Sequence, residues 1–150
     1  MRLNTFTDYT LRVLIYLGAR EGGERLATIG EIAVAYRISE DHLRKVVHHL
    51  AKQGYVKTTR GKGGGLQLAR APHEINIGTV VRSVEENLPL VECFEPGNLR
   101  CPITAACALR GVLARAMRAF FEVLDQQTLA DLVRTPAKLI KIWDDVSATR

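Results

Sequence analysis

A pair of helix-start signals separated by a short gap constrains this chain more than any other feature. Thr28 is followed three residues later by Glu31, the spacing at which each side chain bonds the backbone amide of the other. A second helix can begin after Ser39, whose hydroxyl is a suitable cap, with two acidic residues beside its positive end. We therefore predict helices over 28–36 and 39–53, joined by a two-residue turn in a helix-turn-helix.

A glycine-rich hairpin follows these two helices. The β-favouring run 55–59 and the alternating run 66–68 flank the sequence Arg60-Gly-Lys-Gly-Gly-Gly65. A helix-turn-helix followed by a hairpin with a basic tip is the layout of a winged helix. The predicted fold class is mainly α: a winged helix-turn-helix over residues 1–75, with a small two-stranded wing.

Helical patterns also flank this unit. Residues 7–21 carry an apolar stripe that ends at Gly22-Gly23, and residues 77–84 predict a short helix. Residues 87–100 contain two prolines and a glycine, which is typical of a loop. We assign residues 76–103 to a linking helix and this loop.

A long helix is predicted from about Thr104 to Leu124. Its apolar residues share one side: Leu109, Val112, Leu113, Ala116, Phe120, Val123 and Leu124. At 1.5 Å per residue such a helix is roughly 30 Å long, too long for a small head to cover. We expect a second copy of the chain to cover it in a two-fold homodimer; the alternative is a helix folded back on its own domain. This dimerisation helix and a further capped turn at 128–132 make up the segment 104–150.

Positive charge is concentrated in the predicted winged helix. Residues 37–70 contain eight basic and two acidic residues, whereas the whole chain has a formal net charge of +5. Such an excess suits a polyanion such as double-stranded DNA, with a solvated basic face as the alternative. No apolar run reaches the roughly 18 residues of a membrane span, and the amino terminus lacks the apolar core of a signal peptide. We therefore expect a cytoplasmic protein with no membrane partner.

Candidate DNA contacts follow from this layout. The second helix of a helix-turn-helix enters the major groove, so the exposed side of 39–53 is expected to contact bases or phosphates. An arginine at the wing tip suits a narrow minor groove, and the glycines beside it let the backbone approach phosphates or simply permit the turn. The candidates are Ser39, His42, Arg44, Lys45, His48, His49, Arg60, Lys62, Gly63 and Gly64.

All three cysteines lie within 15 residues, as Cys93, Cys101 and Cys107. A disulfide would leave one thiol over and is disfavoured in a reducing compartment. Structural zinc sites usually show closer cysteine pairs and a complete tetrahedral set. The clustering favours an iron-sulfur cluster, with zinc, redox thiols or unligated thiols as alternatives. No C-x-x-C pair or nucleophile motif predicts an enzyme, so a thiol redox protein is the alternative from another class.

Five separated segments resemble the Rrf-type iron-sulfur regulators, in the same order and along nearly the whole chain. They are MRLNTFTDYTLRVLIYLGAR, TTRGKGGGLQLARAP, EINIGTVVRSVE, VECFEPGNLRCPITAACALRG and TLADLV. Within that family the nitric-oxide-sensitive repressors are the most similar. The resemblance implies a homodimer that binds an inverted-repeat operator with its cluster intact and releases it when nitric oxide reacts with the iron.

The resemblance also implies a ligand set. It places the cluster on Cys93, Cys101 and Cys107, with Asp8 of the partner subunit as fourth ligand where the cluster is 4Fe-4S; a 2Fe-2S cluster is possible. Arg110 stands where the cluster-assembly regulators of this family have a histidine ligand, which argues against that role. The seven residues between the first two cysteines also resemble the iron-responsive regulators, so iron is the alternative signal.

Overall fold

A computed structural model describes residues 3–23, 25–85, 90–95, 97 and 100–149. Seven α-helices and one β-hairpin are found in these ranges, and their bounds follow in chain order. They are α1 (Thr5–Ala19), α2 (Ile29–Tyr36), α3 (Glu40–Lys52), β1 (Val56–Thr59), β2 (Gly65–Leu68), α4 (Ile77–Val84), α5 (Ala108–Asp125), α6 (Leu129–Leu132) and α7 (Pro136–Ala148). Residues 87–89, 96, 98 and 99 of the predicted loop lie outside the described residues.

The predicted helix-turn-helix is confirmed together with its caps. Thr28 and Glu31 form the reciprocal capping box that starts α2, and the Ser39 hydroxyl accepts from the His42 amide at the start of α3. The helix α1 begins at Thr5, two residues before its predicted start. The reason is a cap that the apolar pattern did not indicate: the Asn4 side chain accepts a 2.7 Å hydrogen bond from the Thr7 amide.

The wing is an antiparallel hairpin with Val56 opposite Leu68 and Thr59 opposite Gly65. Ala27, just before α2, forms a bridge to Leu66 and so ties the hairpin to the helix-turn-helix. The turn at the wing tip needs glycine at position 64, because a Cβ there would overlap the carbonyl oxygen of Thr59. The two strands are therefore held in one register at both ends.

The hydrophobic core lies where α1 meets α3. The apolar side of α3 is buried in it, with Leu43, Val46, Val47 and Leu50 at 4% exposure or less. Val13 and Leu14 of α1 and Val80 and Val81 of α4 belong to the same cluster of buried side chains. This core fixes the orientation of α3, which carries half of the ten candidate DNA contacts.

The C-terminal half differs from the prediction in two respects. The long helix begins at Ala108 rather than near Thr104, because residues 104–106 form a separate 3-10 turn and Cys107 has an extended backbone. In addition, no helix was predicted beyond residue 132, whereas the structure has α7 there. That helix packs against α1 and α2, where the ring of Trp143 lies 4.7 Å from that of Tyr16 and 5.5 Å from that of Tyr36, measured between centroids.

The helix α5 has no buried residue along its 18 positions. Phe121 and Leu124 pack against the core, whereas Leu109 and Val123 are each about three-fifths exposed. An ion pair fixes the C-terminal end of α5, since Arg82 of α4 donates to both carboxylate oxygens of Asp125. Among the described residues, no helix is both long and apolar enough to cross a bilayer.

Candidate nucleic-acid interface and cysteine loop

The outer side of α3 carries several of the predicted contact residues. His42, Lys45 and His48 are exposed there, and the ring of His42 lies 6.1 Å from that of Tyr9 on α1. The Ser39 hydroxyl is 3.3 Å from the His42 Nδ1. Donors and cations thus line the first two turns of the helix, the part that meets base edges in helix-turn-helix proteins.

Arg44 is held by two carboxylates of its own helix. Its guanidinium donates to Glu40 and to Asp41, with both nitrogen-to-oxygen distances at 2.7 Å. All three side chains are exposed, so this pairing is weak and can be exchanged for a nucleic-acid partner at little cost. In the free protein, however, the pairing cancels the positive charge of Arg44 near the start of α3.

His49 departs from the expectation that it lies on the exposed side of α3. Its ring packs edge-on against Phe6 of α1 at a centroid distance of 5.5 Å. The Nε2 atom is buried, with no hydrogen-bond partner among the described residues. His49 is therefore only partly exposed, because Phe6 covers this side of the helix, and its contact with DNA stays a prediction.

The wing tip presents Arg60 and Lys62 to solvent. Gly61 and Gly63 have φ angles of 95° and 79°, a region that favours glycine. The Gly64 amide donates to the Gly61 carbonyl at 2.9 Å and closes the turn. Gly63 and Gly64 therefore have a structural role here, and any contact of theirs with phosphate stays a prediction.

The cysteine loop, which we define as the segment from Cys93 to Cys107, is compact on its C-terminal side. The Thr104 amide and hydroxyl both donate to the Cys101 carbonyl, at 3.2 and 2.7 Å. Cys107 occupies the N-cap position of α5 without a side-chain cap bond. It lines an open depression together with Phe94, the neighbour of Cys93, and with Arg110. The two ends of the loop thus come together at the start of α5.

The thiols suit an iron-sulfur cluster in kind and in number. All three cysteines are free, Cys101 is exposed, and Cys93 and Cys107 are partly exposed, so each sulfur is accessible to iron. Within the part of the chain that the structure describes, the side chains do not converge into a set of three ligands. The donor chemistry therefore fits thiolate-bound iron, while closure of a ligand set is not a property of this conformation.

Asp8 lies on α1, where Arg12 is its partner. The Arg12 guanidinium contacts both carboxylate oxygens, with distances of 3.0 Å from Nε and 2.8 Å from a terminal nitrogen. Both side chains are about two-fifths exposed, and they line a surface depression that also includes Tyr36 and Arg37. The spacing of four residues on one helix could have indicated this ion pair from the sequence.

Two arginines in this region have roles that the sequence analysis did not assign. Arg70 stacks on the Tyr55 ring at 4.8 Å and donates to the carbonyls of Gln53 and Gly54, so it caps the end of α3. Arg37 forms the turn between α2 and α3 with a φ of 54°, and it is the one non-glycine residue with positive φ in the described part of the chain. Its position directly after the last residue of α2 could have indicated this conformation, because the residue that follows a helix is commonly left-handed and is most often glycine.

Comparison with known proteins agrees with this architecture. The Rrf2 family model, described as an iron-dependent transcriptional regulator, matches residues 3–135. The transcriptional regulators NsrR of Geobacillus kaustophilus and Bacillus subtilis are 50% and 46% identical to the chain, covering 93% and 95% of it and 94% and 97% of the relatives.

Solved structures give the same result for the fold. The global cysteine regulator CymR of Bacillus subtilis superposes with a TM-score of 0.73 at 32% identity, over 89% of this chain and 97% of that one. IscR of T. potens superposes with a TM-score of 0.69 at 28% identity, over 89% and 87%. A winged helix with these relatives is a DNA-binding regulator rather than an enzyme, and the chain belongs to the Rrf2 family of transcriptional regulators.

Proposed function

We propose that this protein is a cytoplasmic repressor that binds an inverted-repeat operator as a homodimer, and that an iron-sulfur cluster on Cys93, Cys101 and Cys107 controls its DNA affinity. Nitric oxide is the proposed signal. The NsrR relatives and the iron-dependent family description support this assignment.

One observation carries the proposal: Cys107 is the N-cap residue of α5. The same residue therefore ends the cysteine loop and caps the helix on which Leu109, Val112 and Val123 remain exposed in the described part of the chain. Ligation at Cys107 would fix the first turn of α5, because a bound sulfur restrains the backbone of its own residue. In this proposal the last cysteine ligand is directly followed by the helix that would contact the second subunit, so no linker separates the two.

The DNA-binding side rests on α3 and the wing. Ser39, His42, Lys45 and His48 would contact the major groove, with Arg44 after it leaves its carboxylate partners. Arg60 and Lys62 would follow the adjacent backbone or minor groove, with Gly63 and Gly64 shaping that tip. Two such heads must lie about one DNA turn apart, roughly 34 Å, so a change in the α5 contact alters the fit to both half-sites.

The fourth ligand of a 4Fe-4S cluster would be Asp8 of the partner subunit. When bound, the cluster supplies iron that reacts with nitric oxide. Asp8 is half-exposed and held by an exposed arginine, so its carboxylate can exchange partners. Carboxylate binds iron more weakly than thiolate does, which suits a replaceable position. A 2Fe-2S cluster would leave this carboxylate with Arg12.

The test uses full-length protein purified without oxygen. We expect a coloured protein containing iron and sulfide that binds a selected inverted-repeat duplex and releases it with nitric oxide. Cys101→Ala should be colourless and bind roughly 5- to 150-fold more weakly, the usual range of such coupling. Ala105→Ser, a polar change in the same loop, should behave as wild type. Equal affinity of the cluster-free and cluster-bound forms at matched salt would refute the proposal.

Iron availability is a second candidate signal, favoured by the iron-dependent description of the family. In that case the protein would lose DNA affinity when iron is chelated, and nitric oxide at equal occupancy of the cluster would have little effect. Titration of the holoprotein with nitric oxide and, separately, with a chelator distinguishes the two signals.

A further inference from the structure

Arg37 combines two unfavourable features at one exposed position. Its backbone is left-handed, with φ 54° and ψ 44°, a conformation that costs an L-residue with a Cβ free energy and that glycine adopts without strain. Its guanidinium forms no hydrogen bond or ion pair with the residues that the structure describes. Among the described residues of the free protein, no side-chain hydrogen bond or ion pair of Arg37 thus offsets the free-energy cost of its left-handed backbone.

Nearby cations of the same region differ from Arg37 in this respect. Arg12 is held by Asp8, and Arg44 is held by Glu40 and Asp41. These pairings leave Arg37 as an uncompensated positive charge next to the start of α3. An unpaired positive charge among other basic residues is disfavoured by their mutual repulsion, but it attracts an approaching polyanion.

The position of Arg37 fits contact with a phosphate. It lies two residues before Ser39, the N-cap of α3, and its backbone amide bonds to carbonyls of the last turn of α2. The turn is therefore fixed, and only the side chain is free to reach outward. In helix-turn-helix proteins the first helix crosses the DNA backbone as the second enters the groove, which brings the turn between them close to the phosphates.

We propose that Arg37 is a phosphate-contacting residue whose strained backbone is retained for the sake of DNA binding. Strain at a single residue is common at functional positions, where the surrounding structure holds it. The proposal rests on the entry of α3 into DNA. It requires neither a cluster nor nitric oxide, so it can fail or succeed independently of the proposed signal.

Arg37→Gly removes the strain and the charge together, and two measurements report on them separately: stability on the strain, and DNA affinity with its salt dependence on the charge. The melting temperature should rise by roughly 2–5 °C, while affinity for a mixed-sequence 30-base-pair duplex should fall about tenfold. The slope of log affinity against log salt should flatten by about 0.9 per protomer. Arg37→Lys should keep the wild-type slope and melting temperature, and Lys141→Gln on α7 should keep the slope despite losing the same charge.

Each result decides one part. A more stable Arg37→Gly variant with unchanged affinity and slope would refute the phosphate contact. A variant that is no more stable than wild type would refute the strain. Loss of affinity that depends on the duplex sequence would assign Arg37 to base recognition instead. If wild-type protein itself binds the duplex without salt dependence, the entry of α3 into DNA fails, not the role of Arg37 alone.

Discussion

At the scale of single residues, two side chains of α3 have fixed partners in the free protein: Arg44 is held by Glu40 and Asp41, and His49 packs against Phe6. The exposure of His42 and His48 was predictable from spacing, because the faces of a helix follow local rules. The burial of the His49 Nε2 atom was not, since Phe6 is 43 positions away in the chain. The pairing of Arg44 with Glu40 and Asp41 is local and follows from helical spacing.

The Arg82–Asp125 pair predicts how stability depends on acid. The hydrogen bonds from Arg82 hold the Asp125 pKa below its ordinary value of 3.8. The stabilising contribution of Asp125 is therefore complete above that value and is lost as the pH falls through the lower, folded pKa. Denaturant midpoints should drop between about pH 5 and pH 2 in wild type and drop less in Asp125→Asn. Glu122→Gln on the same helix is the control and should retain the wild-type slope.

Gly64 at the wing tip should not tolerate a side chain. A Cβ would overlap the Thr59 carbonyl oxygen and crowd that of Gly61, so Gly64→Ala should destabilise the protein by about 1–3 kcal/mol. Gly111 on α5 has open space around it, and Gly111→Ala should instead stabilise by about 0.5–1 kcal/mol. Urea unfolding followed by circular dichroism measures both, and equal effects of the two changes would contradict this reading of the turn.

At the scale of elements, predictability followed the strength of local signals. Helices α2, α3 and α4 each begin at a side-chain cap and have an apolar face, and their predicted positions are confirmed within about two residues. The helix α7 has only Leu139, Ile140 and Trp143 packed inward, and their partners lie on α1 and α2. An apolar side of only three residues, whose packing partners are far away in the chain, is too weak a pattern to predict a helix from one sequence.

Trp143 is the one residue of α7 that is buried in the described part of the chain. Trp143 is 5% exposed and lies against Tyr16 and Tyr36, so Trp143→Ala should cost about 3–5 kcal/mol. Lys141→Ala, exposed on the same helix, should cost under about 0.5 kcal/mol. Thermal unfolding by circular dichroism compares the two variants with wild type. A Trp143→Ala variant as stable as Lys141→Ala would mean that α7 does not dock on the head in solution.

At the scale of the whole molecule, α5 has an apolar side that the described residues leave exposed. Leu109, Val112 and Val123 are exposed large apolar residues on one side of this helix. Such a stripe is normally covered, and we propose that the same helix of a second copy covers it. Sequence periodicity and helix length predict an apolar side that one small domain cannot cover, but they do not identify the surface that covers it.

Val112→Glu tests this assembly. Burying a carboxylate in an apolar contact is unfavourable, so sedimentation should show a shift from dimer to monomer and operator affinity should fall with it. Arg118→Glu changes the charge of α5 by twice as much, on its polar side, and should remain dimeric. Monomeric wild-type protein at micromolar concentration, or a dimeric Val112→Glu variant, would be incompatible with the proposed interface.

Trp143 is the one tryptophan of the chain. It lies against Tyr16 of α1 and Tyr36 of α2. Its ultraviolet emission therefore reports on the contact between α7 and these two helices. A stopped-flow record of that emission, without any dye, would show whether and how fast α7 moves relative to α1 and α2 when a signal molecule is added.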